Sequence, residues 1–311
     1  MLMNRKLILL WFLCLIFIAY AVAVKTSHIL EENPLDQDLI GQNLAENSII
    51  PDSSFYENLP DDNTPSTKTK NQRVSPIQAK SYLVGDVSTG EIYIQKSSDL
   101  VLPVASMSKL ITAVASIDEY GYSKSVKADD IIFADKDSAG IVPGDEFTVS
   151  ELLYPLLLNS SNLVAEVLAS STNRVGFMED MSSYAWEIGM QSTFFADPSG
   201  LNPLNISSAK DFFALAKYLY NSRSDILSIT RNSEIIIATT TKHGSYTFIS
   251  THPFVNYPGF LGGKTGRTNA AKETMLTILT IKDKPIAIIV LGSENRRKDT
   301  QYLIELITKV L

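Results

Sequence analysis

The chain has 311 residues, of which 45% are hydrophobic and 20% charged, so it can bury the core of one large domain or two modest ones. Its formal net charge of -7 and the lack of any dense Lys/Arg run argue against a nucleic-acid partner, since phosphate backbones would be repelled. The single cysteine, Cys14, lies in an apolar run, so we expect no disulfide and no thiolate-bound metal in the rest of the chain.

The N-terminus is typical of an export or anchoring segment. Arg5 and Lys6 precede an uninterrupted apolar run, 7–24, whose length is at the lower limit for a membrane-spanning helix. Ala21 and Ala23 also form an A-x-A cleavage pattern, so 1–24 is either a retained membrane anchor, which we favour, or a signal peptide. A retained anchor would place the bulk of the chain on the extracytoplasmic face of the membrane. A cleaved signal peptide would leave it in the periplasm or exported from the cell.

Residues 25–78 form a polar stretch rich in Asn, Asp, Ser, Thr, Pro and Glu. Such a composition has little to bury and predicts a disordered extracytoplasmic stalk. A flexible coil of this length has an end-to-end distance on the order of 40 Å. The stalk would hold a folded domain, predicted for 79–311, away from a membrane.

The folded part begins and ends with strands and has helices between them. Predicted strands are 81–87 and 91–96, joined by a turn at 88–90, then 233–240, 260–268, 273–282 and 284–293. Predicted helices are one starting at Pro103, then 148–160 and 162–171 with a break near Asn159, 176–190, 208–222 and 296–311. This order predicts an α+β fold: an antiparallel sheet flanked by helices, with an inserted all-helical lobe.

Lys109 is a lone charge in the apolar helix predicted after Pro103. Ser106 and Lys109 are i and i+3 neighbours, so the amine is within reach of the hydroxyl. The apolar surroundings and the first helical turn disfavour a protonated amine, leaving a base that can activate Ser106. A lysine that reaches solvent from a surface helix fits the same pattern.

Two further segments carry polar groups at unusual places. Ser160, Ser161 and Asn162 lie at the helix break, where they either face a cleft or cap a helix. The stretch "GFLGGKTGRT" puts Lys264 on a strand whose flanking glycines allow a substrate backbone to approach closely. A glycine-rich edge strand would have the same composition.

Taken together, S-x-x-K, S-x-N and K-T-G resemble the motifs of the penicillin-binding proteins and serine β-lactamases. The chain is similar in particular to the D-alanyl-D-alanine carboxypeptidase family of low-molecular-mass penicillin-binding proteins. The resemblance extends from 81 to 311 and includes "GIVPGDEFTVSELLYPLLLNSSN" and "FFADPSGLNP".

The resemblance implies a catalytic role for five residues. Ser106 would attack the carbonyl between the last two D-alanines of a peptidoglycan stem peptide, and Lys109 would take its proton. Ser160 and Lys264 would pass a proton to the leaving amine, and Asn162 would hold the substrate amide. No cofactor or metal is implied, and β-lactam antibiotics would acylate Ser106.

Substrate binding is assigned by the same resemblance to Thr265, Gly266 and Arg267. Thr265 would bind the terminal carboxylate, and the backbone N–H groups of Ser106 and Arg267 would form the oxyanion hole. The family often has an Asn-x-Asn-like element before the K-T-G strand, where this chain has "FISTHPF". We therefore take Arg267 as a substitute carboxylate anchor.

Several functions remain open within this interpretation. A carboxypeptidase is favoured over an endopeptidase that cuts D-Ala cross-links, although the chain has no β-rich tail after Leu311 like that of some carboxypeptidases. A β-lactamase is disfavoured because 194–202 lack the glutamate that would activate water. A catalytically inactive wall-binding or scaffolding protein is the alternative outside enzymes.

A Ser-His-Asp triad is disfavoured because only His28, His243 and His252 are present, and we expect His243 to be an exposed turn residue.

Overall fold

The computed structural model describes residues 77–128 and 140–311, all within one unit, Arg73–Leu311. Its strands are β1 (Ser81–Asp86), β2 (Ile92–Lys96), β3 (Leu102–Pro103), β4 (Ser125–Lys127), β5 (Glu146–Thr148), β6 (Ile206–Ser207), β7 (Glu234–Ile237), β8 (Tyr246–Ile249), β9 (Phe260–Thr268), β10 (Lys272–Ile281) and β11 (Lys284–Ser293). Its α-helices are α1 (Lys109–Tyr120), α2 (Val149–Tyr154), α3 (Asn162–Ser170), α4 (Arg174–Ile188), α5 (Ala209–Ser222), α6 (Ser224–Thr230) and α7 (Arg296–Val310). A 3₁₀ turn, Ala105–Ser108, precedes α1, and a π-helical turn, Pro155–Asn159, follows α2.

A five-stranded antiparallel sheet in the order β2-β1-β11-β10-β9 forms the centre of the fold. The first and last strands of the described region meet here, because β1 pairs with β11. Three two-stranded ribbons, β3-β6, β4-β5 and β7-β8, accompany the helices inserted between β2 and β9. The predicted α+β class with an antiparallel sheet is confirmed, and the inserted lobe carries the β4-β5 ribbon beside its helices.

Both faces of the sheet are covered, because successive side chains along β11 belong in turn to two different hydrophobic clusters. Ile286, Ile288 and Val290 belong to a cluster with α7, whereas Ala287 and Ile289 belong to a larger cluster with α1 and α5. Successive side chains of a strand point to opposite faces, so a continuous apolar strand needs a partner on each face. The sheet is thus the middle of three layers.

The start of the described region is fixed to the last helix. Asp299 is fully buried in the first turn of α7 and accepts hydrogen bonds from the backbone N–H groups of Gln78 (3.0 Å) and Ala79 (2.8 Å) and from the Ser293 hydroxyl (2.6 Å). A carboxylate at a helix N-terminus is also favoured by the helix dipole. Ile77 is buried as well, so its side chain is part of the core.

The predicted segment 1–24 and nearly all of 25–78 lie outside the described residues. In 77–128 and 140–311, no helix has the length and apolar character needed to cross a membrane. The anchor and the stalk therefore stay predictions.

The start of the first helix differs from the prediction. Pro103 is a strand residue in β3, paired with Ile206, which suits its fixed φ and missing N–H at the end of a short strand. Ala105 then takes a left-handed φ of 51°, and the helix begins as the 3₁₀ turn. Ser106 consequently lies in that 3₁₀ turn, just ahead of α1, and not in the first turn of the α-helix.

The helix break predicted near Asn159 is confirmed, with a specific cause. Thr148 and Glu151 form a reciprocal capping box at the start of α2. Pro155 ends α2, because a proline has no N–H for the next helical hydrogen bond. The π-helical turn then widens the coil over one turn before the chain reaches Ser160.

Candidate active site

The 3₁₀ turn holds Ser106 at the end of α1 that faces β9. Gly266 of β9 makes this approach possible, because a Cβ atom there would lie 2.8 Å from the Val104 carbonyl oxygen and 3.0 Å from the Ala105 Cβ. Thr274 in β10 also donates its hydroxyl to the Val104 oxygen at 2.9 Å. The turn that carries Ser106 is therefore packed directly against the K-T-G strand.

Lys109 is fully buried, and its Nζ lies 2.9 Å from the Ser106 Oγ. The same amine donates to the Asn162 Oδ1 at 2.7 Å and to the Ser199 carbonyl oxygen at 2.5 Å. Carbonyl oxygens only accept hydrogen bonds, so a free amine gives its two hydrogens to these two atoms. In that neutral form its lone pair would point to the hydroxyl of Ser106, which is the geometry of a general base and its nucleophile.

The second motif owes its shape to the break after the π-helical turn. Ser160 has left-handed dihedral angles (φ 64°, ψ 36°), which cost a non-glycine residue about 1–2 kcal/mol. Ser161 is the N-cap of α3 and accepts from the Val164 N–H at 3.0 Å. Asn162 is the first residue of α3. The capping alternative is thus correct for Ser161, while Ser160 and Asn162 meet the two lysines.

Lys264 of the third motif is buried in β9 and donates to the Ser160 Oγ and to the Thr265 carbonyl oxygen, each at 2.9 Å. Burial lowers the pKa of Lys264 well below its ordinary value, and the nearby charges of Lys109 and Arg296 lower it further. Lys264 therefore forms with Ser160 a second serine–lysine pair, and its amine holds its proton less strongly than an ordinary lysine does.

The remaining residues predicted to bind substrate lie on the same strand. Thr265 is nearly buried, and its hydroxyl is 3.2 Å from the Thr251 hydroxyl. A Cβ atom on Gly266 would also come within 2.5 Å of the Thr274 Oγ1, so only glycine fits there. Arg267 is exposed, in register with Glu273 of β10.

Sequence reasoning missed Arg296, which the fold brings to this strand from the start of α7. Its Nη1 donates to the Gly266 carbonyl oxygen at 2.6 Å, and its backbone N–H donates to the Glu273 Oε2 at 3.0 Å. Burial lowers the pKa of Arg296, though an arginine still keeps its proton at neutral pH. No local sequence signal separates Arg296 from the neighbouring Arg297.

The loop after α4 was missed as well. The Ser199 carbonyl oxygen that contacts Lys109 belongs to the "DPSGL" stretch, which the sequence had marked only as a point of resemblance. Gly200 of this stretch has a φ of 87°, and a Cβ atom there would lie 2.0 Å from the Ala105 carbonyl oxygen. The stretch therefore packs against the turn that carries Ser106.

Both histidines of the described region have structural roles. His252 is buried, with Nδ1 accepting from the Phe254 N–H at 3.2 Å and Nε2 facing the Leu276 carbonyl oxygen at 3.1 Å. The expectation for His243 was wrong: it is only 6% exposed, because its ring stacks on Phe147 with centroids 4.4 Å apart. The side chains that contact the hydroxyls of Ser106 and Ser160 are lysines.

Two buried lysines, each beside a serine hydroxyl, define a class of protein: serine acyl-transfer enzymes that use lysine where others use histidine. A sequence profile of the family described as D-alanyl-D-alanine carboxypeptidase matches residues 66–295. The chain belongs to this family.

Individual relatives agree with this assignment. The D-alanyl-D-alanine endopeptidase of Escherichia coli is 30% identical over 233 residues, which are 70% of this chain and 72% of that protein. D-alanyl-D-alanine carboxypeptidase DacB2 of Mycobacterium tuberculosis is 28% identical over 201 residues, 64% of this chain and 69% of that protein. The fold is similar to a crystal structure of a D-alanyl-D-alanine carboxypeptidase from Mycobacterium tuberculosis, with a TM-score of 0.67 and 24% identity over 77% of this chain and 96% of that one.

Proposed function

We propose that this chain is a penicillin-sensitive, serine-type D-alanyl-D-alanine carboxypeptidase that removes the terminal D-alanine of peptidoglycan stem peptides through an acyl-enzyme. One observation carries the proposal: the Ser106 and Ser160 hydroxyls each lie 2.9 Å from the amine of a buried lysine. One pair serves the nucleophile and the other the leaving group.

In the first step Ser106 attacks the carbonyl between the two D-alanines. Its proton moves to the lone pair of Lys109, and the new C–O bond leaves negative charge on the former carbonyl oxygen. The backbone N–H groups of Ser106 and Arg267 are the proposed donors to this oxygen, and each such donor is worth about 100- to 1000-fold in rate.

In the second step the C–N bond breaks and D-alanine leaves. Its nitrogen must gain a proton, which the Ser160 hydroxyl gives while Lys264 replaces it. The lowered pKa of Lys264 suits this role, since a proton is passed on most readily by a group that does not hold it strongly. Water then attacks the acyl-enzyme carbonyl and gives a proton, by way of the Ser160 hydroxyl, to Lys264. Lys109 returns its proton to the Ser106 oxygen as the C–O bond breaks, so the shortened peptide leaves and both lysines recover their starting states.

The terminal carboxylate of the substrate meets a cationic end of the site. Thr265 offers a hydroxyl. Positive charge comes from Arg267, which follows Gly266 in β9, and from Arg296, which donates to the Gly266 carbonyl oxygen. Charge-assisted hydrogen bonds from arginine are among the strong polar contacts, so a free carboxylate is favoured over a neutral group at this position.

A DD-endopeptidase that cuts D-Ala cross-links is the second candidate, because the relative from Escherichia coli carries that name. Incubation of the full chain with muropeptide monomers ending in D-Ala-D-Ala, and with cross-linked dimers, separates the two by mass analysis. Loss of one alanine from monomers identifies the carboxypeptidase, and cleavage of dimers with monomers intact identifies the endopeptidase.

Two variants complete this experiment. Ser106→Ala should abolish both reactions, whereas Ser182→Ala, on the exposed side of α4, is the matched serine control and should change neither. If the wild-type protein cleaves neither the monomers nor the dimers, the result would instead support an inactive wall-binding or scaffolding protein.

We also propose that 1–24 anchors the chain on the extracytoplasmic face of the cell membrane. The support is the apolar run 7–24 with Arg5 and Lys6 before it. Mass analysis of the protein from membrane fractions tests this: retention of the N-terminal segment supports the anchor, and a mature chain that starts after Ala23 identifies a cleaved signal peptide.

A further inference from the structure

The carboxylate of Asp197 lies at the centre of the loop that contacts Lys109. Its Oδ1 accepts from the Ser199 N–H (2.6 Å), the Ser199 hydroxyl (2.8 Å) and the Gly200 N–H (2.6 Å). Its Oδ2 accepts from the Asn202 N–H at 2.5 Å. Asp197 is only 8% exposed, so these bonds are largely shielded from water and hold the backbone of 199–202 in one conformation.

A second side chain fixes the other end of the loop. The Asn205 Oδ1 accepts from the N–H groups of Ala196 (2.8 Å) and Asp197 (3.1 Å), and its Nδ2 donates to the Asp197 carbonyl oxygen at 2.9 Å. Asn205 is fully buried. Asp197 is therefore held by its own backbone while its carboxylate holds the residues that follow.

The loop so fixed presents two consecutive carbonyl groups to one face of α1. The Pro198 carbonyl oxygen accepts from the Thr112 hydroxyl at 2.6 Å, and the Ser199 carbonyl oxygen accepts from the Lys109 Nζ at 2.5 Å. Lys109 and Thr112 are i and i+3 neighbours, so both contacts fall on the same stripe of the helix.

The Ser199 carbonyl oxygen determines where the lone pair of the Lys109 amine points. A tetrahedral free amine has two hydrogens, and the Asn162 Oδ1 is the other acceptor for them. If the Ser199 oxygen moves, the amine is free to rotate, and its lone pair no longer stays directed at Ser106. Small errors in the placement of a reacting group are costly, on the order of 100-fold in rate for 1 Å.

We infer that Asp197 is a positioning residue for acylation: its carboxylate holds the Ser199 carbonyl group in place, and that carbonyl group directs the Lys109 amine at Ser106. The inference rests on the proposed function, since it assigns Lys109 as the base. It extends that function by placing part of the catalytic geometry in a loop far along the chain from all three motifs.

The test compares Asp197→Ala and Asp197→Asn with wild type in stopped-flow acylation by a fluorescent penicillin, using the full chain. The acylation rate constant and the dissociation constant of the noncovalent complex are measured separately. We expect Asp197→Ala to lower the rate constant about 10- to 100-fold with the dissociation constant unchanged. Asp197→Asn keeps the oxygen that receives three of the four bonds, so it should recover a large part of the rate.

Asp86 provides a matched control. It is 2% exposed and accepts from the Ser88 N–H (2.8 Å), the Ser88 hydroxyl (2.6 Å) and the Thr89 N–H (3.2 Å), the same arrangement in the turn between β1 and β2. Asp86→Ala should lower the unfolding temperature and leave the acylation rate constant of the folded protein at the wild-type value.

Each outcome has a distinct meaning. If penicillin acylates the wild type and Asp197→Ala has the same acylation rate constant, the positioning role is overturned and the proposed function stays intact. If Asp197→Ala does not fold, Asp197→Asn decides the matter. Its rate constant should lie a few-fold below that of wild type, because the amide NH2 cannot accept from the Asn202 N–H, and a wild-type rate constant in this variant would overturn the positioning role. No acylation of the wild type would contradict the proposed function itself.

Discussion

The neutral, buried ring of His252 should make the stability of the fold fall in mild acid. Burial lowers the pKa of His252 to about 3, and the nearby charges of Lys264 and Arg296 add to the effect. In the unfolded chain the pKa returns to about 6.5. Between these two values the unfolded chain binds more protons than the folded one, so the free energy of unfolding rises with pH across this window and falls as the pH drops through it.

The size of the effect follows from the shift. One pKa unit corresponds to about 1.4 kcal/mol, so at pH 5, roughly 1.5 units below the unfolded value, His252 alone costs about 2 kcal/mol relative to pH 8. The site is affected directly, because the His252 Nε2 contacts the carbonyl oxygen of Leu276, the register partner of Lys264. Protonation of the ring would remove the Nδ1 acceptor of the Phe254 N–H and place a positive charge beside β10, which pairs with the strand that carries Lys264.

Urea unfolding of wild type and His252→Asn at pH 8 and pH 5 tests this prediction. Asparagine retains an acceptor for the Phe254 N–H but does not titrate, so the wild type should lose about 2 kcal/mol more than the variant between the two pH values. The contribution of the carboxylates cancels in this difference, and His28→Asn, in the predicted stalk, is the matched histidine control. Equal losses in wild type and His252→Asn would refute the reasoning.

Three further predictions concern the site. Lys109→Ala should slow acylation by penicillin by roughly 100- to 10,000-fold, and normal acylation would show that Lys109 is not the base. Lys264→Met should raise the thermal unfolding midpoint, because it removes a buried amine that is costly to protonate, and it should abolish turnover of D-Ala-D-Ala peptides, because that amine is needed for proton transfer. A lower midpoint in calorimetry would contradict this. Gly200→Ala should block acylation and destabilise the fold by more than Gly144→Ala, since both have a positive φ but only the first places a Cβ atom 2.0 Å from the Ala105 carbonyl oxygen. Equal unfolding midpoints for these two alanine variants would count against the packing described.

The sequence predicted the elements whose cause is local. The apolar run in "KPIAIIVLGS" predicted β11, and the polar run 159–162 predicted the helix break. The approach of Lys109 to Ser106 also follows from local geometry, because i and i+3 residues share a helix face. The sequence did not predict α6 or β8, which are short and whose burial depends on neighbours far along the chain.

Within the site the same division holds. By itself the sequence determined which residues are the nucleophile and base candidates, through three short motifs whose spacings are those of a known family. Only the tertiary structure decided what holds them: the Ser199 carbonyl oxygen lies 90 positions from Lys109, and Arg296 lies 30 positions from Gly266. Such contacts arise when helices and loops close on the two faces of the sheet, and a backbone carbonyl group makes its contact without any side-chain type to mark it in the sequence.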